Sequence, residues 1–286
     1  MANTRALKAR IASAEGILQI TKSMKMVSAS KLRRAQTAKS SLGPMAQQSR
    51  RLLAEVAAAA GETNEPLLAD RPVKKSVCYV LVAGNRGLCG VYNTALVKFL
   101  EELVRRDERD CSVVVCGSWG QDVVEPAVNV IRRFDHIGDI PTAAEAGEVT
   151  GYLKELYLSG RADEVIFVYQ RYDSFLKQTP SSIPLLPVHP AEGGGRLGGY
   201  LFEPDKDTLI AMLTDLYINS AVFDLLLEGR TGEHAARMAS MSSAADNTEE
   251  LIAKLTLELN HVRQAAITTE ISEIAGGAEA LNAGKA

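Results

Sequence analysis

The sequence predicts an α/β domain inserted between two long helices that share a coiled-coil seam. Three observations predict it. Both ends of the 286-residue chain are poor in proline and rich in helix formers, both carry apolar residues at alternating spacings of three and four, and the middle alternates β-branched runs with helical patterns.

The N-terminal element comes first. From about Thr4 to Ala60 Pro44 is the only proline, and Ala, Lys, Arg and Gln dominate, which predicts one or two very long helices over residues 1–60. Leu7, Ile11, Ala14 and Leu18 are spaced 4, 3, 4; Ile17, Ile20, Met24 and Val27 then repeat 3, 4, 3 on a seam displaced by one residue. So narrow a seam calls for a single partner helix.

The middle, residues 73–203, has another texture. "SVCYVLVAG" and "CSVVVCG" read as strands, each followed by a helical pattern, "NTALVKFLEELVRR" and "SWGQDVVEPA". "NVIRRFDHIG" and "EVIFVYQRYDSF" read as further strands around a helix over "AAEAGEVTGYLKELYLSG", giving a mostly parallel, Rossmann-like sheet covered by helices. "SSIPLLPVHPAEGGGRLGGYLFEPD" reads as a final strand and an exposed loop.

The C-terminal element, residues 205–286, supplies the partner helix. Met238, Met241, Ala245, Thr248, Ile252, Leu255, Leu259, Val262 and Ala266 keep the 3, 4 spacing, after which Ile267, Ile271, Ile274, Ala278 and Leu281 continue it on a neighbouring face. With no proline after Pro204, helix is expected from about Asp205 to Ala275, with room for a break near "EGRTGE". About 70 residues at 1.5 Å each reach roughly 105 Å, longer than a globular domain of this size. The last stretch, "VRQAAITTEISEIAGGA", is mostly small or apolar on its surface, unlike a water-facing helix.

Charge narrows the function. Residues 1–51 carry eleven bases against Glu15, a net of +10, while residues 246–286 carry −4 and the remainder −9. A basic segment on an acidic chain implies an acidic partner for it. The longest apolar run, "VCYVLVA", falls far short of the roughly 20 residues of a membrane span, and "MANTRALKAR" lacks the apolar core of a secretory signal. Residence in the cytoplasm is the expectation. The four cysteines lack CxxC spacing, so they are expected to be reduced core thiols, and neither a metal nor another cofactor is called for.

Chemistry is hard to find in the α/β domain. "GNRGLCG", Gly84 to Gly90, sits between a strand and a helix, where nucleotide folds place a phosphate loop, but its GxxGxxG spacing matches neither the P-loop nor GxGxxG. A tight turn is the simpler reading. His136, His189, His234 and His261 are scattered, and Asp135 beside His136 has no third member to complete an acid–base site.

Three separated motifs carry a resemblance. "ITKSMKMVSASKLRRAQ", "GNRGLCG" with Asn93, and "RMASMSSAADN" with "VRQAAITTEISEIAGGAEA" resemble, in this order, the gamma-subunit family of F-type rotary ATP synthases, with Ile267, Thr268, Glu270, Glu273, Gly277 and Ala278 fitting its C-terminal signature. The turn departs from the family at Gly84, Asn85, Val91 and Tyr92. The resemblance implies an antiparallel coiled coil standing in a hexamer of alpha and beta subunits, with the α/β domain against a c-subunit ring and the epsilon subunit. Such a subunit is non-catalytic and meets the membrane only through its partners, here at the cytoplasmic face of a bacterial cell membrane. It implies that Lys22, Lys25, Lys31, Arg33 and Arg34 face an acidic lever loop of the beta subunits, with Met24 among the partner-binding residues of the same helix. Arg263, Gln264, Thr268 and Glu270 are similar to positions that bond a catch loop of the hexamer. Tyr200, Phe202 and Glu203, with Lys31, Arg33 and Arg34, resemble positions resting on the ring. Two rival readings are a coiled-coil nucleic-acid binder using the basic helix, for which interleaved aromatics are missing, and a stand-alone α/β enzyme.

Overall fold

The computed structural model describes residues 2–61, 63–124, 126–175, 177–189 and 202–283. In chain order the elements are α1 (Ala2–Ala60), β1 (Ser76–Val82), α2 (Tyr92–Arg106), β2 (Asp110–Cys116), α3 (Gln121–Val124), β3 (Val130–Phe134), α4 (Ala143–Leu158), β4 (Glu164–Ser174), β5 (Lys177–Leu186) and α5 (Lys206–Ala283). They form two compact units, one of Met1–Val27 with Ser240–Ala286 and one of Ser28–Ala239.

The first unit is a pair of antiparallel helices. Lys22 meets Glu249 and Lys25 meets Ser242, so numbers rise along α1 as they fall along α5. Leu7, Ala14 and Thr21 are buried along α1 and Met241, Ala245 and Leu255 along α5, with Ile11, Leu18, Met24, Ile252, Leu259 and Val262 half-buried beside them. The α5 seam therefore follows the sequence reading as far as Val262. On α1 the reading needs correction: Ile17, Ile20 and Val27 are exposed, and the seam does not shift onto them. It continues through Thr21 and Lys25, which hydrophobic periodicity passes over. Both are tolerated there because their polar atoms are satisfied, the Thr21 hydroxyl donating to the Ile17 and Leu18 carbonyls at 3.1 and 3.0 Å and the Lys25 ammonium to Ser242 at 2.9 Å.

The second unit is a five-stranded sheet of order β3-β2-β1-β4-β5, parallel except for β5, which pairs antiparallel with β4. Strands β1 and β2 are apolar on both faces because both faces are covered. On one face Val77, Tyr79, Leu81, Val113 and Val115 pack against Leu96, Val97 and Leu100 of α2. On the other, Cys78, Val80, Val114 and Phe167 pack with Val149 and Leu153 of α4, Leu53 of α1 and Leu213, Val222 and Leu226 of α5. By length and composition α5 is apolar enough to cross a membrane, but the residues that make it so include Ile210, Leu213, Ile218, Val222 and Leu226, which are buried in this core. Cys78, Cys89 and Cys116 are buried and Cys111 half-buried, all as free thiols.

Three local expectations change. "SWGQDVVEPA" supplies only the four-residue α3, and the last strand begins earlier, at Lys177. Helix α5 does not break at "EGRTGE". Gly229 in this stretch serves close approach: a Cβ there would stand 2.5 Å from Cγ1 of Val82, so only glycine lets the helix lie this near the end of β1.

Candidate functional site

At the C-terminal end of β1 the turn "GNRGLCG" is filled by the chain's own helix. Arg230, Glu233 and Arg237 lie at i, i+3 and i+7 on α5, which puts them on one face, here turned inward. Glu233 accepts from Arg230 at 3.0 Å and from Arg237 at 2.6 Å. The remaining guanidinium N–H groups reach the turn: Arg230 donates to the Ala83 carbonyl at 3.1 Å and the Asn85 side chain at 2.8 Å, and Arg237 to the carbonyls of Arg86 at 2.9 Å and Gly87 at 3.2 Å. Tyr92, at the start of α2, donates its hydroxyl proton to the Gly229 carbonyl at 2.7 Å. A phosphate loop aims N–H groups at an anion. This turn instead presents carbonyls to two arginines, and the Gly84 N–H is already bonded to Asn93 at 2.9 Å. The expected tight turn is therefore what is found, and its electrostatics suit cations.

The electrostatics follow from burial plus pairing. Burial alone would raise the Glu233 carboxyl, but the flanking arginines outweigh it and hold the pKa below its ordinary value. His234, fully buried on the next position, is pushed below its ordinary value chiefly by burial. Its Nε2 lies 3.2 Å from the Asp139 carbonyl, which can only accept, so Nε2 carries the proton and Nδ1 faces Arg237 at 3.5 Å.

Two lysines of α1 tie that helix into the same unit. Lys31 pairs with Asp139 at 2.6 Å, and Lys39 contacts Glu228, whose other oxygen accepts from the Tyr172 backbone at 2.7 Å. Lys31 holds the Asp139 carboxyl low against the opposing effect of its partial burial.

The residues singled out in the sequence fall into four groups. Lys22, Lys25 and Lys31 already have partners within the chain, at Glu249, Ser242 and Asp139, and Met24 is half-buried at the edge of the seam. Arg33 and Arg34 are exposed on α1, in no ion pair among the described residues. Arg263, Gln264, Thr268 and Glu270 are all exposed on α5, with the Thr268 hydroxyl bonded back to the Gln264 carbonyl at 3.0 Å. Phe202 is half-buried and Glu203 exposed, whereas Tyr200 lies outside the described residues. Among the described residues the structure joins Thr268 to Gln264 but links none of the others to one another by a hydrogen bond or ion pair. The buried cluster it does build, Arg230, Glu233, His234 and Arg237 with Asn85, is absent from the sequence reading.

A family model described as ATP synthase matches residues 3–281. The ATP synthase gamma chain of Desulfitobacterium hafniense is 40% identical over 98% of this chain and 100% of its own length, and that of Moorella thermoacetica is 39% identical over the same shares. The chain belongs to the ATP synthase gamma-chain family. Solved structures agree at the level of fold: a rotor chain of the Euglena gracilis mitochondrial ATP synthase matches with a TM-score of 0.66 at 19% identity, covering 93% of this chain and 99% of its own. A second state of that assembly gives 0.68 at 21% identity, covering 99% and 96%.

As a gamma chain the protein is a non-catalytic subunit, the central shaft of the rotor. That accounts for a Rossmann-like sheet whose loop is plugged from within. The nucleic-acid reading finds no support, and the bases of α1 that it needs are partly spent on Glu249, Asp139 and Glu228.

Proposed function

We propose that the chain couples proton flow through a c-subunit ring to ATP synthesis and hydrolysis in an alpha/beta hexamer by turning as the shaft between them, with the epsilon subunit beside its α/β domain. The complex is membrane-associated, and we place this chain at the cytoplasmic face of a bacterial membrane, held there by its partners.

One observation supports this reading most. Counting one residue along each helix from the Lys22–Glu249 and Lys25–Ser242 pairs brings the start of α1 at Ala2 opposite residues 265 to 269 of α5. Beyond that, among the described residues, α5 has no partner helix, yet it displays Ile271 and Ile274, the first of them 61% exposed, with Ile267 exposed just before them. A helix end with this surface calls for an apolar collar, and a collar of small, uncharged contacts avoids desolvating a charge at every step of a turn. Ile17, Ile20 and Val27 present a similar face on α1.

Within this reading Arg263 and Gln264, with Thr268 and Glu270, provide directional bonds to the hexamer on an otherwise smooth tip. Arg33 and Arg34 are the better candidates for an acidic lever loop or the polar loops of the ring, since Lys22, Lys25 and Lys31 have internal partners. Tyr200, Phe202 and Glu203 are assigned to the ring. The test is reconstitution with the chain's own alpha and beta subunits. Arg263→Ala lowers ATPase turnover of the assembled complex while the free chain keeps its melting temperature; equal ATPase rates for both complexes contradict the assignment.

A further inference from the structure

We infer that the buried Arg230–Glu233–Arg237 clasp is the joint through which the α/β domain transmits torque to α5, so that it sets how large an opposing load the rotor can work against. This rests on the shaft reading above and adds to it a named coupling element.

A rotor that is driven at one end and loaded at the other shears every contact between its sheet domain and its long helix. Apolar contacts resist such shear poorly, because a helix face can slip to the next ridge and keep most of its contact area. Charge-assisted hydrogen bonds are directional, and each has one geometry. The clasp concentrates them. Arg230 and Arg237 together reach the carbonyls of Ala83, Arg86, Gly87 and Ile137, while Glu233 holds both guanidiniums in register. Slippage strands two cations and a carboxylate in a site where Arg230 is 1% exposed and Glu233 fully buried.

The packing around it is equally specific. A Cβ at Gly84 would stand 3.0 Å from the Glu233 carboxyl carbon, and Tyr92 bonds the helix backbone at Gly229. The turn is also fixed from behind, since Asn85 donates to the Ile137 carbonyl at 2.7 Å and Gln170 of β4 donates to the Tyr92 carbonyl at 3.0 Å. Load on the turn is thereby spread into the sheet. The clasp thus joins α5 to two segments far apart in sequence, the turn after β1 and the stretch after β3 at Ile137.

The experiment uses the complete complex in vesicles and compares ATPase without a gradient against ATP-driven proton pumping into an imposed gradient. Wild type must hydrolyse and pump; if it does neither with its own partners, the shaft reading fails, whatever the clasp does. For Glu233→Gln, which keeps shape and loses charge, unloaded ATPase stays near wild type while pumping against the steepest gradient falls by at least about fivefold, the factor expected for roughly 1 kcal/mol of lost coupling. Arg237→Lys recovers part of what Arg237→Ala loses. Should Glu233→Gln fail to fold, Asn85→Ala at the half-buried rim gives the same load-dependent loss. Proportional loss of ATPase and pumping at every load, or pumping equal to wild type at the steepest gradient, overturns the inference.

Discussion

Lys31 of α1 and Asp139, which follows β3, are joined at 2.6 Å, each side chain about one-third exposed. A base of the segment that looks poised for an external acidic partner thus fastens α1 to the sheet domain. Arg33 and Arg34, two and three residues on, remain exposed. The same helix therefore divides its bases between internal fastening and outward attraction.

That division has a measurable consequence. Lys31→Ala should cost the free chain about 0.5–1 kcal/mol of stability, as a partly exposed ion pair does. Arg33→Ala and Arg34→Ala should stay within about 0.5 kcal/mol and show their effect only in the assembled complex. Denaturant unfolding of the three free variants decides it, and a larger loss for Arg33→Ala than for Lys31→Ala would reverse the assignment.

Seam and tip residues of α5 should separate cleanly. Leu255→Ala removes a buried seam residue and is expected to cost about 2–4 kcal/mol. Ile271→Ala removes an exposed one and should leave the melting temperature of the free chain unchanged, while altering ATPase of the complex. Thermal unfolding beside ATPase activity tests this; parallel loss in both assays for Ile271→Ala returns the tip to ordinary packing.

His234 gives the free chain a mild acid sensitivity. Burial keeps its imidazole neutral in the folded state, so as pH falls below about 6.5 the unfolded chain takes up a proton that the folded chain refuses. Stability is then lost towards the lower, folded pKa. Glu233, Asp139 and Asp163 are held below their ordinary values of 4.5 and 3.8, and their contributions are lost only at more acidic pH. The fall in melting temperature between pH 7.5 and 5.5 should shrink in His234→Asn; an unchanged slope assigns that sensitivity elsewhere.

At the foot, replacing Tyr200, Phe202 and Glu203 together with alanine should leave ATPase of the soluble complex near normal and weaken proton pumping in vesicles. Loss of both activities in step would mean that the segment supports the fold and not the ring contact.

Much of the fold is legible because periodicity reports burial. The sheet strands, α2, α4 and the α5 seam from Met241 to Val262 follow from it. It fails where polar residues are buried with their partners. Thr21 and Lys25 continue the α1 seam, and no apolar pattern marks them. Likewise Arg230, Glu233 and Arg237 look in sequence like surface ion pairs of a solvated helix face, because spacing cannot tell an inward face from an outward one. The available signal was the pair Gly229 and Gly232 inside an otherwise helical stretch. It reads as a break, whereas it marks where a strand and Tyr92 come close. The apolar surface of the tip is legible in the spacing itself, since Ile267, Ile271 and Ile274 recur at helical intervals and all three are exposed.

The central claim is that this chain turns while others do the chemistry, and rotation itself tests it most directly. With the alpha/beta hexamer fixed to a surface and a probe attached through Glu108→Cys, at an exposed position of the α/β domain, ATP should drive continuous one-way rotation of the probe. The free chain should show no hydrolysis. Steady ATP hydrolysis by the fixed complex with a stationary or randomly reorienting probe, the chain being bound throughout, contradicts the account.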